Sequence, residues 1–366
     1  MGESAGKVAL FITDLTGGGA ERVMINLADG LVRLGREVDM VLVKAEGAML
    51  ANVPKGVNIV DLKAPHAMLS APALAKYIDA EKPVAVLAAL NQPNVAAVWA
   101  KRLSRHKPKI VISIHNTLSV EAGEAANWRV RLMPAFVRQF FGWADAIVAV
   151  SNGVADDFVT MTGIRRDRVE AIYNPVVSQE MIDRAQETVD DPWFASGEPP
   201  VVVAVGKLHP QKDYVNLLNA FAAVRRGREA RLLILGEGQE RAELEALIGE
   251  LGLTDDVRMP GFVGNPFAYM NKSAVFVLSS RWEGLPTVLI EALACGTPVV
   301  STDCPSGPRE ILDGGRWGKL VPVDNAAALA DAISSTLDVE KESPPRESWE
   351  PFERGRVAEL YSKVLS

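Results

Sequence analysis

A chain of 366 residues exceeds what one hydrophobic core usually supports, so two domains are expected, and 48% apolar against 23% charged residues excludes a disordered polypeptide. The net charge of −7 argues against general nucleic-acid binding, yet it is unevenly spread: residues 1–178 hold 20 Lys+Arg against 17 Asp+Glu, and the remainder 19 against 29. Only two cysteines occur, Cys295 and Cys304, which excludes a disulfide framework, and neither a signal-like start nor an apolar run of membrane-spanning length precedes or follows KVALFIT, so a cytoplasmic location is expected.

Along the first half, short β-branched runs alternate with helical patterns. Strands are predicted at residues 7–13, 38–44, 84–89, 109–114 and 146–151, separated by amphipathic segments such as the one carrying Val23, Leu27, Leu31 and Leu34. Such alternation specifies an α/β fold with a parallel sheet and right-handed crossovers, and it places ligands beyond the C-terminal strand ends at a switch in strand order. The loop after the first strand contains Gly17, Gly18 and Gly19 ahead of a helix, where backbone N–H groups can approach an anion; a plain tight turn uses the same glycines. It has neither the G-x-G-x-x-G nor the G-K-[ST] spacing, so nicotinamide and ATP chemistry gain no support. The loop after strand 109–114 presents His115, and a lone histidine is more often structural than functional.

Two basic runs free of acidic residues follow, Lys101 to Lys109 and Trp128 to Trp143. The second mixes Trp, Phe and Arg on a predicted helix, a composition suited to peripheral contact with an anionic inner-leaflet membrane, and equally to a solvated charged face over a buried aromatic one. Texture changes over residues 164–200, marking the interdomain boundary, and a second β-α series begins with strands at 201–206, 231–236, 256–261, 274–279, 297–302 and 318–323.

The second series carries more chemistry. Its first strand runs into Gly206 to Asp213, where Lys207 and Lys212 on a strand-to-helix loop can neutralise a diphosphate. Further on, the stretch Ser279 to Ser301 predicts a short helix over 285–295, with Pro286 at its first position, Gly296 as its left-handed stop and Pro298 barring continuation. That helix is apolar nearly all round, yet it includes Glu291, a costly placement unless an ion pair or a ligand satisfies the carboxylate. Glu283 and Gly284 precede the helix N-terminus, a position that favours anions and a close backbone approach.

Glu283, seven intervening residues and Glu291, with G-L-P between, resemble the E-x7-E signature of the family 4 retaining glycosyltransferases. G-K-L-H-P-Q-K-D at 206–213 resembles that family's G-R-L-x-x-Q-K-G, with Lys207 for the usual Arg and Asp213 for the usual Gly; lysine keeps the charge but loses the planar fork. Leu235 to Gly238 and Pro260 to Gly264 look like the loops flanking the nucleotide, and C-P-S-G-P-R-E at 304–310 is similar to a run in bacterial enzymes that build surface glycans and lipid-linked oligosaccharides.

The resemblance implies the GT-B architecture, two Rossmann-like doubly wound domains facing across a cleft: residues 1–175 on the acceptor side, 176–348 binding the nucleotide sugar, and a helix in 349–366 returning to the first domain. It gives the ribose diol to Glu291, sugar hydroxyls to Glu283, the diphosphate to Lys207, Lys212 and the helix N-terminus, and contacts near the donor to Gly236, Val263, Gly284, Leu285 and Thr287. His115 and the Gly17 to Gly19 loop would close on the donor sugar and exclude water. The implied activity is retaining transfer from a nucleotide diphosphate sugar, UDP-linked by resemblance with GDP left open, to a glycan or polyprenyl-diphosphate-linked acceptor, with no general base assigned. No Asp-x-Asp occurs and His66, His106, His115 and His209 lack ligand spacing, so no metal and no cofactor beyond the co-substrate is expected. A sugar-nucleotide-binding partner without catalysis is the alternative; it would keep Glu291 and Lys212 and lose the groups around the sugar.

Overall fold

The computed structural model describes residues 6–120 and 138–366. The chain divides into two compact units, Met1–Val176 with Phe352–Ser366, and Val177–Pro351. In the first, strands β1 (Val8–Ile12), β2 (Val38–Leu42), β3 (Val57–Asp61), β4 (Ala85–Ala89), β5 (Lys109–Ile114), β6 (Ala146–Ala149) and β7 (Val169–Ala171) form one parallel sheet in the order β3-β2-β1-β4-β5-β6-β7. Helices α1 (Gly19–Arg33), α2 (Ala71–Glu81), α3 (Asn91–Leu103) and α4 (Asn152–Thr162) alternate with them. Runs such as VALFI and AVLAA show no polar alternation because both faces of these inner strands are covered.

Two strands, β3 and β7, are not among those expected from the sequence. β3 lies at the sheet edge, and its VNIVD run exposes Asn58, Ile59 and Asp61, so it lacks the apolar signature of its neighbours. β7 occupies the other edge and is only three residues long, inside the stretch whose texture marks the boundary.

The second unit repeats the scheme with β8 (Val201–Val205), β9 (Arg231–Leu235), β10 (Val257–Gly261), β11 (Val275–Leu278), β12 (Val299–Thr302) and β13 (Lys319–Val321), all parallel in the order β10-β9-β8-β11-β12-β13. Its helices are α5 (Gln179–Ala185), α6 (Tyr214–Gly227), α7 (Arg241–Glu250), α8 (Pro266–Lys272), α9 (Thr287–Ala294), α10 (Pro308–Ile311) and α11 (Ala326–Leu337). Each sheet packs its own apolar core, one around β1, β2 and α1, the other around β8, β9, α6 and α11. Strand order reverses between β1 and β4 in the first unit and between β8 and β11 in the second, so the loops after these strands diverge and leave a crevice at the strand ends.

A closing helix, α12 (Arg354–Val364), returns to the first unit, as the family resemblance implies. Val357, Ala358, Tyr361 and Leu365 complete the core over α1. Arg354 donates to Asp29 at 2.6 Å and to Asn26 at 3.1 Å, while Val176 N–H bonds to the Phe352 carbonyl at 3.0 Å, fastening the chain where it re-enters. Among the described residues no helix is long and apolar enough to cross a membrane.

Candidate active site

The switch point of the second unit joins the two richest stretches of the sequence. Because β8 pairs with β11, the loop carrying Lys212 lies beside the loop carrying Glu283, although 71 residues separate them. Hydrogen bonds to backbone carbonyls hold the two loops in register: Arg281 N–H donates to the Gln211 carbonyl at 2.8 Å, the Gln211 side chain to the Trp282 carbonyl at 2.9 Å, and the Ser279 hydroxyl to the Lys212 carbonyl at 2.6 Å. The result is an ion pair with Lys212 Nζ 2.6 Å from Glu283 Oε1, the two side chains only 15% and 8% exposed. Ser280 Oγ donates to the same oxygen at 2.6 Å, and Gln211 Nε2 approaches Oε2 at 3.4 Å. Removing one partner of such a largely buried pair strands the other charge.

The charge on Glu283 is felt around it. Burial first, and the Glu283 carboxylate second, hold the Tyr214 phenol well above its usual range and push the Cys304 thiol up to about 12, so both stay neutral at pH 7. Ser280 and Tyr214 surround the carboxylate without belonging to the quoted motifs, and Gln211, the Q of the 206–213 motif, gains a bridging role that the motif does not state. A signal existed for Ser280, a hydroxyl three residues before the carboxylate of Glu283.

Helix α9 corrects the expected span of 285–295. It runs Thr287–Ala294, with Pro286 as N-cap at φ −69° and ψ 99° and Cys295 as C-cap. The proline ring sets φ but leaves ψ free, and the loop after β12 keeps Pro286 extended: Ser306 Oγ donates to the Gly284 carbonyl at 2.9 Å, and Gly307, at φ 91°, packs so closely that a Cβ there would lie 2.4 Å from Pro286 Cδ. Thus the C-P-S-G-P run shapes the G-L-P turn of the carboxylate motif. Gly296 takes the expected left-handed stop at φ 78°. Glu291 sits mid-helix and is 3% exposed; Leu285 is buried and Thr287 half-buried at the first helical turn.

Asp213 stands where the family pattern has glycine, and its φ of 49° and ψ of 51° explain the glycine preference. Aspartate is accommodated because its carboxylate caps α6, accepting from Asn216 N–H at 3.3 Å, and receives Arg281 Nε at 3.2 Å. Burial raises its pKa even so. Lys207 is exposed on the same loop. Gly236, after β9, abuts this loop: a Cβ there would fall 2.0 Å from the Gly206 carbonyl, so only glycine allows the two backbones to close up. Val263 lies half-buried in the loop after β10, next to Phe262, which is 83% exposed.

The remaining candidates belong to the first unit. His115 follows β5, half-buried, with Nε2 3.1 Å from Ser113 Oγ. Enclosure by the surrounding protein pushes its pKa down to about 4, so the ring is a neutral hydrogen-bonding group at pH 7. Gly17, Gly18 and Gly19 lead into α1, whose N-cap is Gly18, and the Glu21 carboxylate folds back against Gly18. The first basic run is partly structural: Lys101 pairs with Asp145 at 2.5 Å, and Lys107 Nζ donates to the Lys101, Arg102 and Ser104 carbonyls that end α3. Most of the second run lies outside the described residues. Its end is ordered into an aromatic cluster of Trp99, Phe140 and Trp143, with the Arg102 guanidinium 3.5 Å above the Trp143 ring.

Lys212 and the buried carboxylate of Glu283 thus meet at the switch point of one of two parallel-sheet units. Residues 17–180 match the family model described as Glycosyltransferase Family 4, and residues 185–352 the one described as Glycosyl transferases group 1. The chain is 31% identical over 350 residues, 92% of its length and 91% of the relative's, to N-acetylgalactosamine-N,N'-diacetylbacillosaminyl-diphospho-undecaprenol 4-alpha-N-acetylgalactosaminyltransferase of Campylobacter jejuni. It is 28% identical over 251 residues, 69% of this chain and 67% of the relative, to a lipopolysaccharide core biosynthesis glycosyltransferase of Rhizobium meliloti. Among solved structures, Anabaena HepE in complex with UDP superposes with a TM-score of 0.78 at 21% identity, covering 98% of this chain and 99% of that one, which shows the shared GT-B fold. The chain belongs to the family 4 glycosyltransferases and is a transferase enzyme.

Proposed function

We propose that the protein is a retaining glycosyltransferase that moves a hexose or N-acetylhexosamine from a UDP-sugar to a glycan or polyprenyl-diphosphate-linked acceptor during assembly of a bacterial surface glycan. The observation that carries this reading is the Lys212–Glu283 pair at the β8/β11 switch point, supported by the printed activity of the Campylobacter relative. Lys212 and the exposed Lys207 neutralise the diphosphate and the charge that builds on it as it leaves, the work a divalent ion does elsewhere. Glu283 accepts hydrogen bonds from sugar hydroxyls, and Glu291, on α9, takes the ribose diol. Gly236, Val263, Gly284, Leu285 and Thr287 line the nucleotide and sugar from the loops already described. In the first unit the neutral His115 is a hydrogen-bonding group, and the Gly17 to Gly19 backbone offers N–H groups. Departure of the nucleotide and attack by the acceptor hydroxyl take place on one face of the sugar, so no side chain serves as general base.

A thermal-shift screen against UDP, GDP, ADP and their sugar derivatives, with and without EDTA, tests the donor assignment. UDP and one UDP-sugar at about 100 times their dissociation constants should add ~2.7 kcal/mol of stability, unchanged by EDTA. Stabilisation by GDP alone would replace the nucleotide, and loss of the shift in EDTA would refute metal-free binding.

We also propose peripheral membrane contact through the first unit, where Leu103, 57% exposed, follows the Arg102 that caps the aromatic cluster. Sedimentation with vesicles rich in anionic lipid should carry the protein down, and recovery of all the protein in the supernatant would contradict it.

A further inference from the structure

We infer that the Lys212–Glu283 pair ranks the intact sugar nucleotide above the bare nucleoside diphosphate, so that Glu283 drives the nucleotide out once its sugar has been transferred. The inference rests on the reading of Lys212 as a phosphate ligand and adds a role for the carboxylate beside it. With Nζ 2.6 Å from Oε1, a phosphate oxygen at hydrogen-bond distance from Nζ lies within about 5.5 Å of the carboxylate. Like charges that close, in a site where both side chains are largely shielded from water, repel strongly. A neutral amide of the same shape would bond sugar hydroxyls without that penalty, so the charge on Glu283 calls for its own explanation.

The two carboxylate oxygens differ. Oε1 is taken by Lys212 and by Ser280 Oγ at 2.6 Å, whereas among the described residues Oε2 receives only the 3.4 Å contact from Gln211. Oε2 is therefore open to donors, and the hydroxyls of a donor sugar are the donors that arrive together with the phosphate. While the sugar is attached, its O–H groups offset the repulsion between Glu283 and the diphosphate. In transfer, the bond from the anomeric carbon to the diphosphate oxygen breaks with its electron pair going to that oxygen. A bond from the anomeric carbon to the acceptor oxygen forms, and the acceptor's proton passes to the diphosphate or to water. The hydroxyl donors then leave with the product, and the nucleotide faces a carboxylate whose Oε2 has lost the donors that offset its repulsion.

Calorimetric titration of UDP into the wild-type protein and into Glu283→Gln, Lys212→Met and the double variant tests the inference. Glu283→Gln should bind UDP about tenfold more tightly, ~1.4 kcal/mol, while Lys212→Met binds it more weakly. If Glu283→Gln alone does not fold, the double variant compared with Lys212→Met gives the same reading, because removing the carboxylate should still tighten UDP. UDP affinity that is unchanged or weakened by the glutamine, in protein with a wild-type circular dichroism spectrum, overturns the ranking role alone. Failure of the wild type to bind UDP, GDP or ADP overturns the donor reading and the inference with it.

Discussion

Replacing Lys212 with alanine is expected to lower kcat/KM by about 2 to 4 kcal/mol of transition-state stabilisation, between tens of fold and about a thousandfold. The lysine is the cation that the β8/β11 junction holds beside the carboxylate at 2.6 Å, and under the proposed function its Nζ meets the charge that builds as the diphosphate departs. Loss of the amine also leaves Glu283, whose side chain is 8% exposed, without its counter-ion. The variant should therefore unfold at lower temperature as well, since stranding one member of a buried pair costs about 3 to 5 kcal/mol at full burial and less here. Kinetics and thermal unfolding measured on the same preparation separate the two effects: the rate loss should persist at temperatures where the variant is fully folded. An unchanged rate would make Lys212 an ordinary structural cation.

Glu291→Ala and Glu283→Ala should fail in different ways. Glu291 sits in the middle of α9 and is assigned the ribose diol, a contact equal in ground and transition states, so its loss should raise the donor KM with a smaller change in kcat. Glu283 is assigned the hydroxyls of the reacting sugar and is inferred to oppose the diphosphate, so on that reading its removal deletes one favourable and one unfavourable contribution to donor affinity. Its alanine variant should lose kcat while the donor KM moves little. Steady-state kinetics with varied UDP-sugar distinguish the two, and one shared pattern for both variants would contradict the division of roles.

The inner strands and the motif order are legible in the sequence because burial on both faces writes itself as unbroken β-branched runs, as in VALFI and VVVAV. The two edge strands of the first sheet escape: exposure allows the polar Asn58 and Asp61 that hide β3, and β7 is only three residues long. The start of α9 escapes for another reason: Pro286 permits a helical first turn, and a loop 20 residues further on, through Ser306 and Gly307, holds it extended instead. Asp213 is the reverse case, a departure from the family pattern whose consequence the sequence could only flag; Arg281 and the α6 N-terminus supply what glycine would otherwise have provided.

What the sequence by itself determined is the family, the two α/β units and the residue types of the site, since periodicity, turn residues and the spacing of Glu283 and Glu291 along one loop and helix are local properties of the chain. That Lys212 meets Glu283 was decided only by the tertiary structure, because strand order is a non-local choice: β11 settles beside β8 rather than beside β10, and that pairing joins two loops 71 residues apart into one ion pair.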